Sequence, residues 1–233
     1  PSTPDDSSIG VLNGIAQICE ESGIDPKQIN RVMHGTTVAT NAVLTGKGAK
    51  VGLVTTKGYK HVLQVARSFC PGGLGGWVSY VKKPLLAPLE LTIEANERMG
   101  ADGKTVKTLD EQAFRHDLMK LKAKGEVEAL TICFINAYVN GEHEKQAKAV
   151  AAEIFTDIPI SISSDIVPEM QEYERTETTV VNSYVRPQVA RYVENLQASL
   201  HETMGQDLHL SILRSDGGLA SANAAADNPV NLL

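Results

Sequence analysis

The sequence has few cysteines, no basic surplus and no long apolar run, and each shortage excludes a class of protein. Cys19, Cys70 and Cys133 are far apart in the chain, which excludes a zinc ribbon, a CxxC redox pair and a disulfide framework. This sparse use of cysteine predicts a reducing compartment, and we expect a cytoplasmic location. No apolar run reaches the ~18 residues needed to span a bilayer, so no membrane association is expected.

The charge balance and the absent motifs narrow the function further. The 22 basic and 28 acidic residues give a net charge of -6, so nucleic acid is not an expected partner. No two histidines have the i, i+4 spacing of a zinc helix and no GxSxG elbow occurs, so we expect no metal ligands in the chain. Pro1 stands where an initiator Met would, and Leu233 ends an apolar tail, so we expect a fragment truncated at both ends.

Strands and helices are predicted to alternate along most of the chain, which indicates an α/β fold with a mixed, largely parallel sheet flanked by helices. Leu89–Arg98 and Lys104–Thr108 are expected to form an antiparallel hairpin around Asp102-Gly103. The other predicted strands are Ile29–Met33, Lys50–Thr55, Ala129–Ile135, Ile160–Ser164 and Leu208–Arg214. The predicted helices are Ile9–Cys19, Val38–Leu44, Tyr59–Arg67, Asp110–Lys124, Gly141–Phe155 and Glu169–Met204, the last interrupted or kinked near Pro187.

Three predicted strands end in hydroxyl or carboxylate residues beside glycine, namely HGTT (34–37), TTKG (55–58) and SDGG (215–218). Ligands of parallel sheets sit beyond the carboxyl ends of the strands, so these segments are candidate anion or carbonyl sites. The same residue types are common in turns and helix caps, and any one of the segments taken alone is better explained in that way, whereas the three together favour a site. We expect the three tips to converge on one crevice.

Two further features have open interpretations. At helical spacing, Arg175, Thr179, Asn182 and Arg186 form one polar stripe, predicted either to border a cleft at the margin of the core or to be a solvated face. The glycine-rich segment PGGLGGW (71–77) resembles a phosphate loop only superficially, and we expect a mobile lid. Its Trp77, with Phe69 and Tyr80, would then close an apolar pocket or simply pack within a long loop.

Several blocks together resemble one family. They are HGTTVATNAVL (34–44), KVGLVTTKGY (50–59), ERM…ADG (97–103), CFINAYVNGEHE (133–144), QEYERTETTVVNSYVRP (171–187) and LRSDGGL (213–219). Across nearly the whole chain they are similar to the hydantoinase A, 5-oxoprolinase and acetone carboxylase family, as the N-terminal part of an ATP-dependent N-methylhydantoinase A-type subunit. The resemblance implies an actin- and hexokinase-like (ribonuclease H-like) ATPase architecture, in which phosphorylation by ATP with Mg²⁺ activates an amide or carbonyl oxygen.

The same resemblance implies roles for individual residues. The expected catalytic residues, which line the cleft or steady an anionic group, are His34, Thr36, Thr37, Asn41 and Arg175. The expected cofactor-binding residues are Gly35, Ser215, Asp216, Gly217 and Gly218. The family's Asp-Gly-Gly-Thr and Ser-Gly-Pro-Ala-Gly-Gly phosphate motifs do not occur in this sequence, so the 233 residues alone are expected to hydrolyse no ATP.

The resemblance leaves three functions open. The first is part of an ATP-dependent cyclic amide hydrolase that works with a hydantoinase B-type subunit. The second is part of an ATP-dependent ketone carboxylase, and the third is an inactive folding or subunit-docking module. The resemblance also implies a division into residues 1–170, the N-terminal domain without its first phosphate-loop strand, and residues 171–233, the beginning of the second domain.

Overall fold

A computed structural model describes residues 7–70, 72–76 and 80–233. The strands are β1 (Arg31–His34), β2 (Val51–Thr56), β3 (Thr92–Ala95), β4 (Arg98–Met99), β5 (Thr105–Lys107), β6 (Ala129–Cys133), β7 (Ile160–Ile162), β8 (His209–Leu213) and β9 (Leu219–Ser221). The helices are α1 (Ser7–Ser22), α2 (Val38–Thr45), α3 (Val62–Val65), α4 (Gly73–Gly76), α5 (Glu111–Ala123), α6 (Glu142–Ile154), α7 (Ser163–Ile166), α8 (Glu172–Met204) and α9 (Ala222–Asp227).

The chain forms two compact units. Residues 49–184 make the first, called here the central unit, and residues 1–48 with 185–233 make the second, called the split unit. Helix α8 contributes its first part to the central unit and the remainder to the split unit. This division follows compactness, and the expected family division at residue 170 stays a prediction.

The central unit is built on a parallel four-stranded sheet of order β3-β2-β6-β7. Every residue of β2 and β6 is buried, as expected of parallel strands covered on both faces. Alternate side chains of β6 point to opposite faces. Leu130 and Ile132 join the core cluster that includes apolar side chains of α5 and α6, whereas Thr131 donates a hydrogen bond to Ser183 of α8 at 2.7 Å.

The split unit is built on a three-stranded sheet of order β1-β8-β9. Strand β1 runs parallel to β8, with His34 opposite Ile212, and β9 returns antiparallel to β8. The second part of α8 buries Val189, Val193 and Leu196 at intervals of four and three residues, as an amphipathic helix does. Both units are thus α/β, with a parallel sheet in the central unit and a mixed sheet in the split unit, as the predicted mixed, largely parallel architecture requires.

Local signals in the sequence place several element ends correctly. Asp110 caps α5, because its Oδ1 accepts a hydrogen bond from the backbone N–H of Ala113 at 3.1 Å. Gly23 follows α1 with φ +67°, the left-handed position that favours glycine after a helix. Helix α8 continues through Pro187, so the predicted interruption there is wrong, and the alternative of a kink stays a prediction.

Two predicted elements differ from the structure. Only Val62–Val65 of the predicted helix 59–67 is helical, because Ala66 and Ser68 take left-handed φ angles of 50° and 51° and end the helix. The predicted hairpin strand 89–98 is divided: β3 pairs parallel with the buried β2, and only the two residues of β4 pair antiparallel with β5. A buried central strand needs a hydrogen-bonded neighbour on each side, and β3 supplies one for β2.

Among the described residues, no helix is both long and apolar enough to cross a membrane. The 33-residue α8 has the length but carries Glu172 and Glu174 in its first turn, with further charges along it.

Candidate functional site

The carboxyl ends of β1 and β8 meet at one edge of the split unit's sheet. Because the two strands are parallel neighbours in register from Arg31↔His209 to His34↔Ile212, the HGTT and SDGG segments both leave the sheet at this edge. The third predicted tip, TTKG at 55–58, follows β2 and belongs to the central unit's sheet. The structure therefore groups two of the three predicted tips on one sheet and assigns the third to another.

His34 is held by an aromatic neighbour. Its Nε2 lies 2.7 Å from the hydroxyl of Tyr192, and the two ring centroids are 5.9 Å apart. Burial lowers the pKa of His34 below its ordinary value, so the imidazole is neutral at neutral pH. A neutral imidazole can accept the hydrogen bond of the phenol and keep its other nitrogen for a second partner.

The residues after β1 carry polar groups into the first turn of α2. Thr36 Oγ1 accepts from the backbone N–H of Val38 at 3.3 Å, and Thr37 Oγ1 accepts from Asn41 Nδ2 at 3.3 Å. Thr37 and Asn41 are exposed. Both threonine hydroxyls serve here as acceptors, so their own protons are available to donate to a ligand.

Gly35 and the glycines of the SDGG turn have different structural explanations. A Cβ on Gly35 would meet only Leu213 side-chain atoms at 3.7 Å or more, so packing does not require glycine there. Gly217 has φ +83°, which the tight turn between β8 and β9 requires. Within that turn Asp216 accepts from the backbone N–H of Gly218 at 2.9 Å, so its carboxylate also serves the turn.

The SDGG turn has a basic neighbour that sequence reasoning missed. Arg214 Nη2 donates to Asp216 Oδ2 at 2.6 Å, while Arg214 Nε is buried and has no partner among the described residues. Ser215 donates from both its backbone N–H and its hydroxyl to the carbonyl of Asn231, at 3.0 and 3.1 Å. A guanidinium N–H that lacks a partner within the described part of the chain is a feature suited to an anion.

Arg175, expected to steady an anionic group, is bound instead by the protein. It is 1% exposed, and its guanidinium donates to the Phe134 carbonyl at 2.8 Å, the Glu169 carbonyl at 3.0 Å and Ser163 Oγ at 3.2 Å. It also lies over the ring of Tyr138 at 5.4 Å. Its predicted contact with a ligand stays a prediction, and the observed contacts make it a support of the 134–138 segment after β6.

The polar stripe of α8 is buried rather than marginal. Thr179 and Asn182 are both 0% exposed, so neither the predicted cleft margin nor the solvated face describes these two residues, whereas Arg175 lines a cavity of about 330 Å³. The buried groups are hydrogen-bonded: Thr179 donates to the Arg175 carbonyl at 2.7 Å and Asn182 to Ser161 Oγ at 3.2 Å. Arg186, farther along α8, is partly exposed and pairs with Asp227 at 2.5 Å.

A buried carboxylate is bonded to the segment that follows β6, and the sequence alone did not point to it. Glu144 accepts from the backbone N–H groups of Phe134 and Ser164, both at 2.8 Å, and from Ser163 Oγ at 2.6 Å. Burial raises its pKa above the ordinary value, and the three donors oppose that rise. The signal in the sequence is the acidic start of α6, which the helix dipole alone would also explain.

A second buried cluster lies beyond the end of β2. Thr56 Oγ1 donates to one oxygen of Glu97, His143 Nδ1 lies 2.7 Å from the other, and all three side chains are buried. Thr56 Oγ1 in turn accepts from the backbone N–H of Ile135 at 3.0 Å, which ties the end of β2 to the segment after β6. The predicted lid residue Trp77 lies outside the described residues, and its expected companions Phe69 and Tyr80 are exposed.

The fold and this edge define the chain first as an α/β protein with polar groups at the carboxyl end of a parallel strand pair, where such proteins bind ligands. Residues 1–155 match the hydantoinase/oxoprolinase N-terminal region, and residues 175–233 match the hydantoinase/oxoprolinase family. The chain belongs to the hydantoinase/oxoprolinase family, as its motifs indicated.

Two relatives illustrate the range of the family. The caprolactamase subunit alpha of Pseudomonas jessenii is 32% identical over 237 residues, which cover 100% of this chain and 34% of the relative. The acetophenone carboxylase gamma subunit of Aromatoleum aromaticum is 28% identical over 207 residues, or 80% of this chain and 27% of the relative. The chain spans about a third or less of the length of these curated relatives.

Two solved structures share the fold. The crystal structure of the ATP-dependent caprolactamase from Pseudomonas jessenii superimposes with a TM-score of 0.85 at 30% identity, covering 99% of this chain and 34% of that one. The nucleotide-free structure of acetone carboxylase gives a TM-score of 0.86 at 23% identity with the same coverage, which shows likeness of fold alone. The predicted α/β fold class is thereby confirmed.

Proposed function

We propose that the protein containing this chain is an ATP-dependent cyclic amide hydrolase subunit, which activates the ring amide by phosphorylation of its carbonyl oxygen. The observation that supports the proposal is the match of this whole chain to 34% of a caprolactamase subunit at 32% identity, together with the caprolactamase fold at 30% identity. The acetone carboxylase likeness concerns the fold alone and therefore weighs less.

The split unit's edge is proposed as the part of the cleft that this chain contributes. Thr36 and Thr37 would donate hydroxyl protons to the oxygen atoms that become negative, and Asn41 would orient Thr37 through their 3.3 Å hydrogen bond. His34, neutral and fixed by Tyr192, would be a hydrogen-bonding group rather than a fixed cation. Gly35, whose Cβ position is open, would let the ligand approach the backbone.

The residues at this edge fit a phosphate in chemical type. The buried Nε of Arg214, which has no partner among the described residues, provides a donor next to Ser215, whose hydroxyl is held by the Asn231 carbonyl, and the main-chain turn of Asp216, Gly217 and Gly218 holds them in place. When bound, ATP supplies the phosphoryl group for activation of the carbonyl. We retain Ser215, Asp216, Gly217 and Gly218 as the proposed nucleotide-side residues, and Mg²⁺ as the proposed companion of the phosphates.

Arg175 is proposed as a positioning residue of the central unit. Its three hydrogen bonds and its stacking on Tyr138 hold the 134–138 segment that follows β6. It would affect the reaction by holding this segment and not by touching a reacting atom.

We also propose a partner subunit and a cellular compartment. A hydantoinase B-type subunit would complete ring opening, and the enzyme would work in the cytoplasm. The second candidate reaction, ATP-dependent carboxylation of a ketone, is favoured by one observation, the 28% identity with the acetophenone carboxylase gamma subunit over 80% of this chain.

One assay separates the two reactions. The full-length subunit, purified with its partner, is given ATP and Mg²⁺ with either ε-caprolactam or hydantoin, or with acetone or acetophenone and labelled bicarbonate. We expect ATP-dependent ring opening of a cyclic amide and no label in the ketone product. Label fixed into a ketone, with no amide opened, would overturn the proposal in favour of the carboxylase.

The 233-residue chain serves as a control in the same assay. Neither the Asp-Gly-Gly-Thr nor the Ser-Gly-Pro-Ala-Gly-Gly motif occurs in it, so we expect no ATP turnover from this chain alone. Magnesium-dependent ADP release by the purified chain would contradict this expectation.

A further inference from the structure

A cavity of about 620 Å³ lies in the central unit, and none of the roles assigned above uses it. It opens beside the segments that follow β2 and β6, with lining residues that include Tyr59, Arg67, Asn136 and Tyr138. This is the carboxyl edge of a parallel sheet, where α/β proteins bind small molecules. The volume falls within the range of ~300–1,000 Å³ that small-molecule sites occupy.

Backbone strain is concentrated at this cavity. Four non-glycine residues among those described have positive φ, and three of them line the cavity: Ala66 (φ 50°), Asn136 (φ 60°) and Gln171 (φ 83°). Ala66 combines this φ with ψ -133°, a region that glycine alone adopts easily. The fourth, Ser68 (φ 51°), lies two residues after Ala66. Three strained residues from separate segments surround one cavity. The rest of the fold must hold them in this conformation, which is typical of a binding or catalytic site.

The charge of the lining disfavours a polyanion. Among the described residues that line the cavity, Arg67 is the one Lys or Arg. Its Nε donates to Glu174 at 2.5 Å, a bond that holds the pKa of that carboxyl below its usual range. Glu172 adds a second carboxylate. With one guanidinium against two carboxylates, a nucleotide's phosphates would meet net repulsion in this cavity.

The remaining lining suits an uncharged ring with a polar edge. Val62, Val65 and Met170 provide apolar surface, whereas the Tyr59 hydroxyl and the Gln171 amide provide hydrogen-bonding groups. A cyclic amide has the matching pattern, since its methylene groups need apolar contacts and its N–H and C=O need one acceptor and one donor.

Hydrogen bonds and a cation–π contact with neighbouring residues also hold the lining side chains in position. Asn136 Nδ2 donates to the Met99 carbonyl at 2.9 Å, which turns the amide oxygen of Asn136 into the available group. Arg98 lies over the ring of Tyr59 at 5.2 Å and donates to its hydroxyl at 3.3 Å. Arg67 Nη2 donates to Gln171, and Arg67 Nη1 has no hydrogen-bond partner within the described part of the chain.

We propose that this cavity of the central unit binds the cyclic amide substrate, with Arg67 Nη1 donating to the ring carbonyl and Asn136 Oδ1 accepting from the ring N–H. The choice of a cyclic amide rests on the proposed function, whereas the location rests on the cavity, its strained backbone and its charges. The site would then select a small uncharged carbonyl compound against nucleotides.

Ligand titration of the ¹⁵N-labelled 233-residue chain tests the location. The probes are ε-caprolactam and hydantoin, with acetophenone and ATP added separately, and the readout is the shift of the backbone amides of Gly58, Ala66, Asn136 and Gln171. We expect both cyclic amides to shift these signals and ATP to leave them unchanged. Shifts confined to other residues, or no shift with any of the four probes, would overturn the proposed site without touching the proposed reaction.

Variants sharpen this test. Val65→Trp fills the cavity from a half-exposed position, and Arg67→Met removes the carbonyl donor, so each should weaken amide binding at least about tenfold. The matched control is Lys120→Gln, at a second central-unit cavity of about 610 Å³, and it should leave binding unchanged. Equal binding by wild type and a folded Val65→Trp would contradict the site. Binding of acetophenone in the cavity, with neither amide bound, would overturn the cyclic amide and the proposed function together.

Discussion

The polar side chains at the carboxyl ends of the parallel strands differ between the two units, and the difference separates structural polar groups from available ones. In the central unit, the polar side chains next to the ends of β2 and β6 are buried and bonded to one another, as in the Thr56–Glu97–His143 cluster. At the corresponding edge of the split unit, Thr37 and Ser215 are exposed. Similar residue types therefore have different roles in the two units. A buried polar group must be hydrogen-bonded within the protein, whereas an exposed one need not be.

Removing the guanidinium of Arg175 should give the largest loss of stability. Arg175→Met would leave the Phe134 and Glu169 carbonyls and Ser163 without their donor in a buried region. We expect the free energy of unfolding to fall by about 3 kcal/mol, measured by urea denaturation. Arg115→Met, which breaks the solvent-exposed pair with Glu153, is the control and should cost less than about 1 kcal/mol. Equal losses for the two variants would show that the Arg175 network is not structural.

The Glu97 cluster should give a smaller loss. Glu97→Ala would leave the Thr56 hydroxyl and His143 Nδ1 without a common acceptor, and we expect a loss of about 2 kcal/mol in the same experiment. Glu97→Gln, which keeps an acceptor oxygen, should recover part of it. Glu126→Ala, at a half-exposed position paired with Lys50 at 3.5 Å, serves as the control for loss of an acidic side chain. A Glu97→Ala variant as stable as that control would contradict the assigned role.

His34 should give the smallest effect, seen only as a pH dependence. Its pKa is lowered in the folded state by burial, so below the ordinary value of about 6.5 the unfolded chain takes up the proton first. The stability contribution of neutral His34 is thus complete above that pH and is lost as the pH falls toward the lowered pKa. We expect His34→Gln to flatten the pH dependence of unfolding between neutral and mildly acidic pH. The exposed His116→Gln should leave it unchanged, and the reverse pattern would contradict the assignment.

The sequence predicted the parts of the fold that depend on local patterns. Continuous apolar runs identified β2 and β6, and the Asp110 cap with Phe114, Leu118 and Leu121 on one face identified α5. Pairing was harder to predict, because a strand as short as β3 carries no signal that distinguishes a parallel neighbour of β2 from the arm of a hairpin. Strand β3 pairs with β2 because the buried β2 needs a second hydrogen-bonded neighbour.

The candidate site was predictable where its residues lie next to their strands and not elsewhere. HGTT and SDGG follow β1 and β8 directly, so the α/β pattern placed them at strand ends. Helical spacing put Arg175 and Thr179 on one face of α8, but it does not reveal that other segments cover that face. Thr56, Glu97 and His143 are separated by 41 and 46 positions, so only the folded crossovers bring them together.

The edge formed by β1 and β8 is proposed to take part in phosphoryl transfer to a cyclic amide. The most direct measurement is amide-dependent ADP release by the full-length subunit with its partner, comparing wild type with the Thr36→Val, Thr37→Val double variant. Because donors to a developing negative charge contribute strongly, we predict a loss of about 100-fold, with Thr45→Val at the far end of α2 unchanged. ADP release by a folded double variant at the wild-type rate would contradict the claim.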